Sequence, residues 1–223
     1  MKQTPANNIH NQNVLDILSL SKYTKVIEIG CMYGALAKEY RKINKNVIWY
    51  GIDIDKSYAE EAAKNCTKTF ATNVEKLSEL EMAMLNDANV WIFADVLEHL
   101  YDPWSLLKKI ATGNNAVEIV ACIPNSQHWS FQVGLNSGNF IYQESGLFDK
   151  THIRFFTLKT MLDMFNSTGY EVLKVIPRIY DFPNQNVYDE CILKMAEISG
   201  ADPIEALRNS KVYQYVFHVK GNI

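Results

Sequence analysis

Two glycines and a carboxylate stand at strand ends in the first half of the chain. The segment VIEIGCMYG carries Gly30 and Gly34 around a turn, and WYGIDID carries Asp53 at the end of the next apolar run. Glycine lets the backbone turn sharply and approach a ligand closely, because no Cβ intervenes. A carboxylate at the end of the following strand can accept hydrogen bonds from both hydroxyls of a ribose. The pattern therefore predicts a nucleoside-binding turn.

This turn lacks one glycine of the dinucleotide-binding pattern. Met32 stands where such loops usually carry the glycine that lets the backbone approach a pyrophosphate. The substitution favours a ligand without a pyrophosphate, such as a sulfonium nucleoside, over NAD. The alternative is structural: Gly30 and Gly34 only turn the chain, and Asp53 only lies beside a helix cap.

A second group with chemical potential, DVLEH, follows the fourth predicted strand. Asp95 and Glu98 would lie one helical turn apart, with His99 next to Glu98. A histidine can take the proton of a hydroxyl, since its pKa lies near neutrality. Asp95, Glu98 and His99 also form an optional set of metal ligands, although our first prediction is that no metal is bound. A third alternative is that Glu98 and His99 only bond to the loop backbone.

Two further histidines flank segment 125–156, which is rich in aromatic residues, Asn, Ser and Gly. They are His128 and His152. A weakly periodic stretch of that length inside a compact domain is typical of a lid or a binding element. We therefore take His128 and His152, together with His99, as candidate catalytic residues. A purely structural role for either of the two flanking histidines stays open.

Strands and helices alternate along the chain and would position these residues. Apolar runs rich in β-branched residues predict strands at 25–30, 46–54, 69–74, 89–95, 116–124, 170–180 and 212–220. Helical patterns lie at 34–44, 57–66, 102–111 and 157–169, with two short helices within 185–209. Nearly all-apolar strands that alternate with helices predict a parallel sheet covered on both faces. The predicted fold class is α/β, a Rossmann-like, doubly wound, seven-stranded and mostly parallel sheet with an antiparallel last strand at its edge and a lid insertion.

Length and composition describe one ordinary globular domain. The chain has 223 residues, of which 48% are hydrophobic and 21% charged, so we expect one domain over 1–223, with 1–13 as a mobile tail or a loose cover. No apolar stretch is long enough for a membrane span, no secretory signal is recognisable, and the four cysteines are scattered, so the expected location is cytoplasmic. The net charge of −3 and the absence of a basic face argue against a nucleic-acid partner. No pattern indicates the oligomeric state.

Several segments together resemble the class I S-adenosylmethionine-dependent methyltransferases. The resemblance is strongest to the branch that is similar to the ubiquinone-biosynthesis O-methyltransferases. The segments are VIEIGCMYGALAKEY, YGIDID, IFADVLEHLYDPWSLL, IPNSQHWS and SGLFDKTHIRFFTLKTMLDMFNSTGY, which lie between about residues 25 and 175. The first two are widely shared in that superfamily, whereas the others resemble enzymes often encoded with sugar and polysaccharide biosynthesis.

The resemblance implies a role for individual residues. Glu28 and Gly30 match the acid and the first glycine of the loop that holds the methionine part of the cofactor, and Asp53 matches the ribose-binding acid. Asp95 falls at the junction of cofactor and substrate. Other implied cofactor contacts are Cys31, Met32 and Gly34 in the loop, Ile54 against the adenine, and Asn73 with Val74 where the family often has an adenine-binding Asp. In some relatives a similar acid–x–x–Glu–His group binds a divalent metal with a further histidine, for which His128 or His152 is available.

The expected function is O-methylation of a small-molecule or glycan hydroxyl, with S-adenosyl-L-methionine as the cofactor. Methyl transfer from a sulfonium is an in-line displacement, which demands alignment and a nucleophile free of its proton. Three alternatives stay open: a metal-dependent ribose 2′-O-methyltransferase acting on RNA, a NAD-dependent oxidoreductase, and a non-catalytic partner protein that binds S-adenosylmethionine.

Overall fold

Seven strands form one sheet in the computed structural model, which describes residues 8–183 and 185–222. The strands are β1 (Lys25–Ile29), β2 (Ile48–Asp53), β3 (Lys68–Ala71), β4 (Val90–Ala94), β5 (Glu118–Pro124), β6 (Tyr170–Ile179) and β7 (Val212–Gly221). Their order across the sheet is β3-β2-β1-β4-β5-β7-β6. The first five strands are parallel, and β7 is antiparallel to both of its neighbours. The predicted α/β fold class with an antiparallel last strand is confirmed.

The position of β7 differs from the prediction. This strand lies between β5 and β6 instead of at the edge of the sheet, so that β6 is the edge strand. Pro177 lies in β6, and an edge strand is where the missing N–H of a proline costs least. Because Gln214 of β7 pairs with Pro124 of β5, the start of β7 lies at the carboxyl end of the parallel strands. Ligands of open α/β sheets bind at that end.

Helices pack against the sheet through two separate apolar clusters. The helices are α1 (Gln12–Ser19), α2 (Ala35–Ile43), α3 (Lys56–Ala62), α4 (Glu79–Ala83), α5 (Pro103–Gly113), α6 (Trp129–Asn136), α7 (Leu158–Ser167), α8 (Asp189–Ser199) and α9 (Pro203–Ser210). Of these, α1 and α2 contribute to one cluster, and α4, α5 and α7 contribute to the other. Val26 and Ile27 are neighbours in β1 but belong to different clusters, because successive strand side chains point to opposite faces. Burial on both faces explains why the central strands β1, β4 and β5 are almost entirely apolar.

Three helices were not predicted: α1, α4 and α6. Of these, α1 starts inside the segment that was predicted to be a tail. In α1 the buried residues Val14, Ile17 and Leu18 follow helical spacing, and Asn11 caps the first turn. The helix therefore begins within the predicted tail 1–13, of which residues 1–7 lie outside the described residues. The other two, α4 and α6, are short, and α6 lies inside segment 125–156 with few buried side chains, which explains its weak pattern.

None of the helices in the described part of the chain combines the length and the apolar character that crossing a bilayer requires.

Candidate functional site

The turn between β1 and α2 is joined to the acid that ends β2. Asp53 Oδ2 accepts a hydrogen bond from the backbone N–H of Met32 at 2.9 Å, and its Oδ1 accepts one from the N–H of Asp55 at 2.9 Å. Burial raises the pKa of Asp53, and these bonds oppose that rise. Gly30 and Gly34 have φ values of 67° and 69°, which residues with a Cβ adopt only at a cost. The glycines thus allow the turn, and the carboxylate fixes its position.

A cavity of about 170 Å³ opens between this turn and the ends of β2, β3 and β4. We call it the first cavity. Its lining includes most of the predicted cofactor contacts: Gly30, Met32, Asp53, Ile54, Asn73, Val74 and Asp95. Gly34 contributes to neither this cavity nor the next. A Cβ at Gly34 would lie 3.2 Å from Asn65 Cβ and 3.3 Å from the carbonyl oxygen of Ala62, so its small size serves the packing of α2 on α3.

A second cavity, of about 260 Å³, lies on the other side of Asp95. Its lining combines the turn with Glu98, with Asp149 and His152 from segment 125–156, and with residues of the N-terminal segment. Five residues line both cavities: Gly30, Met32, Ala94, Asp95 and His99. Neither lining contains a Lys or an Arg among the residues that the structure describes. A ligand that spans both cavities would pass Asp95 and His99.

Glu28 lies buried at the base of the second cavity. It accepts a hydrogen bond from Trp49 Nε1 at 2.9 Å, and burial raises its pKa to about 8. Cys31 is also buried in this lining, and burial raises the pKa of its thiol, so that it stays protonated at neutral pH. The two predicted contacts Glu28 and Cys31 therefore belong to the second cavity and not to the first.

Asp95 follows β4 and is held by a chain of hydrogen bonds that continues through Gln214 of β7 to Arg178 of β6. Its φ of 58° lies in the left-handed region, and its carboxylate accepts a hydrogen bond from the side-chain amide of Gln214. The oxygen of that amide accepts a hydrogen bond from Arg178, which also donates to the hydroxyl of Tyr180. The Asp95 side chain is exposed to the cleft but crowded by protein atoms, which raise its pKa to about 6, and Arg178 opposes that rise.

Glu98, His99 and His152 come together from two distant parts of the chain. His99 Nδ1 lies 3.1 Å from the carbonyl oxygen of Thr151, and His152 Nδ1 lies 3.3 Å from that of Leu147. A carbonyl oxygen only accepts, so each Nδ1 carries the proton, and each Nε2 keeps a free lone pair. Glu98 is 1% exposed, and neither of its carboxyl oxygens has a hydrogen-bond partner in the structure.

Burial disfavours charge on each member of this cluster. Burial raises the pKa of Glu98 well above its ordinary value and lowers that of His152 to about 4. His152 Nε2 lies 3.8 Å from Glu98 Oε1, and one ligand atom from each of Glu98, His99 and His152 falls within 4.8 Å of the other two. These residues could hold a divalent cation. The fold thus groups Glu98 and His99 of the optional metal set with His152, one of the two histidines available to complete that set, while Asp95 is not in this group.

His128 is placed apart from this cluster. It caps α6, where its Nδ1 accepts a hydrogen bond from the backbone N–H of Ser130 at 3.3 Å, and it lines neither cavity. Since Nδ1 accepts, the proton lies on Nε2, which is buried without a partner. Burial lowers the pKa of His128 to about 4. Of the three candidate catalytic histidines, the fold thus brings together His99 and His152 only.

The predicted adenine contacts lie at the far end of the first cavity. Asn73 caps the short turn that follows β3, and its side-chain oxygen accepts a hydrogen bond from the N–H of Glu75 at 2.9 Å. Val74 is buried beside it, whereas Ile54 is 52% exposed. An exposed apolar side chain on a cavity wall is available to pack on a flat ring. The oxygen of Asn73 can accept a second hydrogen bond.

Sequence patterns did not reveal several residues of the cleft. Gln214 and Tyr213 from β7 and 9–11 from the N-terminal segment line the second cavity. No motif marks them, because they reach the site only through the pairing of β7 with β5 and the packing of α1. For Asp149 the sequence indicated only its location in segment 125–156, which was predicted to be a lid or binding element. In the structure its Oδ1 accepts a hydrogen bond from the N–H of Thr151 at 2.8 Å.

Comparisons with known proteins agree with this geometry. The sequence matches the family described as methyltransferase domain over residues 9–175. Among curated proteins, none matches the sequence.

Solved structures share the fold at low sequence identity. The plantazolicin methyltransferase in complex with SAH is 15% identical, with a TM-score of 0.61 over 94% of this chain and 82% of that chain. The magnesium protoporphyrin IX methyltransferase from Synechocystis PCC 6803 with bound SAH is 11% identical, with a TM-score of 0.59 over 95% and 83%. A possible histamine N-methyltransferase from Thermotoga maritima is 14% identical, with a TM-score of 0.59 over 95% and 86%. At these identities the likeness shows the fold.

Proposed function

The chain belongs to the methyltransferase domain family, and from that premise we propose that it transfers the methyl group of S-adenosylmethionine to a hydroxyl oxygen of a small molecule or glycan. The residues present fit this cofactor. Gly30 and Asp53 line the first cavity, where the carboxylate of Asp53 is available to the hydroxyls of a ribose. No Lys or Arg of the described chain lines either cavity, so no such side chain would repel a sulfonium cation. Bound S-adenosylmethionine supplies an electrophilic methyl group.

One observation supports an oxygen acceptor: His99, whose Nε2 has a free lone pair, lines both cavities. The Nδ1 proton of His99 is donated to the carbonyl oxygen of Thr151, so Nε2 can accept the proton that a hydroxyl loses as its oxygen forms the new bond to carbon. Burial lowers the pKa of His99, which keeps the base unprotonated at neutral pH. His152 packs on His99 with ring centroids 4.7 Å apart and supports the orientation of the base.

The charges of the second cavity support a neutral acceptor. Burial disfavours charge on two of its four carboxyl groups, Glu28 and Glu98, and leaves Asp95 and Asp149 as its acids. No Lys or Arg lines it in the described part of the chain. A phosphorylated or carboxylated acceptor would need Lys, Arg or a metal beside it. These residues therefore support an uncharged hydroxyl compound over a nucleotide or RNA.

The test has two stages. Calorimetric titration of the purified protein with S-adenosylhomocysteine measures cofactor binding, and transfer of a radiolabelled methyl group to a panel of neutral sugars, phenols and amines measures acceptor choice. We expect micromolar binding and labelling of hydroxyl compounds. His99→Gln should reduce kcat by roughly a hundredfold or more, the usual contribution of a general base, with little change in the affinity for S-adenosylhomocysteine. Labelling of amines alone would overturn the oxygen acceptor, and absence of binding by a folded sample would overturn the whole proposal.

A second candidate is methyl transfer assisted by a divalent metal, favoured by the cluster of Glu98, His99 and His152. These three residues would hold the cation, which would lower the pKa of an acceptor hydroxyl, including a ribose hydroxyl. Metal analysis of the purified protein and treatment with EDTA distinguish the candidates. Full activity in EDTA supports His99 as the base, whereas loss of activity that Mn²⁺ or Mg²⁺ restores supports the metal. The NAD-dependent alternative is set aside because the chain belongs to a methyltransferase family.

A further inference from the structure

We propose that Gln214 and Arg178 are positioning residues that hold the Asp95 carboxylate towards the sulfonium of the bound cofactor. The inference rests on the proposed use of S-adenosylmethionine. It concerns two residues on the last two strands, which no sequence pattern connected with the site.

The location of Asp95 supports a role next to the sulfur. An adenosine-bearing ligand with its adenosine in the first cavity and its amino-acid part in the second would place its sulfur at the wall that the cavities share. Of the five residues on that wall, Asp95 alone carries a carboxylate. A carboxylate beside a sulfonium lowers the energy of the positive charge, and no competing Lys or Arg of the described chain lines either cavity.

The backbone directs Asp95 but does not fix its carboxylate. The residue has a φ of 58°, and its N–H donates to the carbonyl oxygen of Cys122 at 3.0 Å, so the main chain is tied to β5. A non-glycine residue in the left-handed region is costly and often marks a functional constraint. The side chain is exposed to the cleft, and the thiol of Cys122 is only a weak donor to it. Gln214 supplies the stronger partner by donating its amide N–H to Oδ1.

Arg178 anchors the Gln214 amide in the orientation that Asp95 requires. The guanidinium donates to the amide oxygen of Gln214, which leaves the amide nitrogen for Asp95. Arg178 is itself held by the hydroxyl of Tyr180 and by Cys122 Sγ at 3.5 Å. Besides Gln214, four groups interact electrostatically with the Asp95 carboxylate: Glu98, Cys122, Tyr213 and Arg178. Without Arg178, the amide oxygen would lose its partner, and Gln214 would hold the carboxylate less firmly.

The charge of the cofactor gives a direct test, because the sulfonium of S-adenosylmethionine is positive and the thioether of S-adenosylhomocysteine is neutral. A correctly held Asp95 should favour the charged ligand. We therefore compare the ratio of the Kd for S-adenosylhomocysteine to the Kd for S-adenosylmethionine, measured by calorimetry. We expect Gln214→Leu and Arg178→Met each to lower this ratio by about fivefold or more, while the Kd for S-adenosylhomocysteine changes by about twofold at most.

Two controls separate positioning from general damage. Lys174→Met removes an exposed cation from the same strand as Arg178 and should leave the ratio unchanged. In an Asp95→Asn background, Gln214→Leu should have no further effect on the ratio, since the carboxylate that it orients is gone. Arg178→Lys should restore part of the ratio lost in Arg178→Met.

Two outcomes would overturn the inference: an unchanged ratio in both Gln214→Leu and Arg178→Met, or a higher ratio in Arg178→Met, which would mean that the guanidinium only repels the cofactor. If Gln214→Leu does not fold, the ratio of the two Kd values measured for Arg178→Met alone tests the inference. Failure of the wild-type protein to bind either ligand would count against the proposed cofactor, which is a different result from an unchanged ratio.

Discussion

The carboxylate of Asp53 joins the end of β2 to the turn after β1 by accepting the backbone N–H of Met32 at 2.9 Å. One side chain thus fixes the turn and offers its oxygens to the first cavity. The same group also accepts the N–H of Asp55. Loss of this carboxylate should therefore affect both the shape of the turn and the bonds to a ribose.

We predict that Asp53→Ala raises the Kd for S-adenosylhomocysteine by about tenfold or more, because hydrogen bonds to a charged group contribute roughly 1.5–3 kcal/mol. Asp53→Asn keeps one acceptor oxygen for the turn but loses the charge, and it should fall between Asp53→Ala and the wild type. Calorimetry measures all three. Equal affinity in Asp53→Ala and the wild type would contradict the assignment of this acid to the cofactor.

Gly30 and Gly138 both have a positive φ, but only Gly30 is close to other atoms of the cleft. Comparing alanine at the two positions therefore separates the cost of the backbone conformation from the cost of the added Cβ contact. Their φ values are 67° and 72°, but a Cβ at Gly30 would lie 2.8 Å from Val96 Cγ2, whereas one at Gly138 would meet no atom within 4 Å. We expect Gly138→Ala to lower the free energy of unfolding by about 1–2 kcal/mol without affecting ligand binding. Gly30→Ala should cost more and should also weaken the binding of S-adenosylhomocysteine. Urea denaturation and calorimetry check the pair, and normal binding by Gly30→Ala would argue against a ligand at this turn.

Asn73 offers a substitution that should improve binding. Its side-chain oxygen already accepts the N–H of Glu75 at 2.9 Å. Asn73→Asp keeps that acceptor and replaces the amide nitrogen by a second acceptor, which suits the amino group of an adenine. We expect a several-fold lower Kd for S-adenosylhomocysteine in Asn73→Asp and a higher Kd in Asn73→Ala. An improvement in Asn73→Ala would show that this side chain does not contact the adenine.

His128 should make the protein sensitive to acid. Its pKa is about 4 in the fold and 6.5 in an unstructured chain. Below pH 6.5 the unfolded chain therefore binds a proton that the folded protein does not, so stability is lost as the pH falls from about 6.5 towards 4. Between pH 7.5 and 5, His128 should lower the free energy of unfolding by about 2 kcal/mol.

The matched variant is His128→Asn, which keeps a side-chain acceptor for the N–H of Ser130 at the start of α6. Urea denaturation at several pH values should show a smaller loss of stability in acid for this variant than for the wild type. His152 has a similarly low pKa and should keep part of the slope in both proteins. Identical slopes would mean that the pKa of His128 is the same in the folded and the unfolded protein.

Local patterns determined the parallel half of the fold and the cofactor turn. Each of β1 to β5 is short, and all but β3 are largely apolar. Each is bounded by residues that turn the chain or cap a helix, so their type and order follow from nearby residues alone. The same holds for Gly30 and Asp53, whose roles depend on the ends of two neighbouring strands. Because parallel strands end at one edge of the sheet, chain order was enough to predict that these residues meet.

Tertiary structure alone decided the second cavity. The insertion of β7 between β5 and β6 brings Gln214 and Arg178 to Asp95, and the return of segment 125–156 brings His152 to Glu98 while leaving His128 at a helix cap. These contacts join residues far apart in the chain, and no spacing encodes them. Sequence therefore determined the turn after β1 and the acid that ends β2, whereas the packing of distant strands and loops decided which side chains line the second cavity.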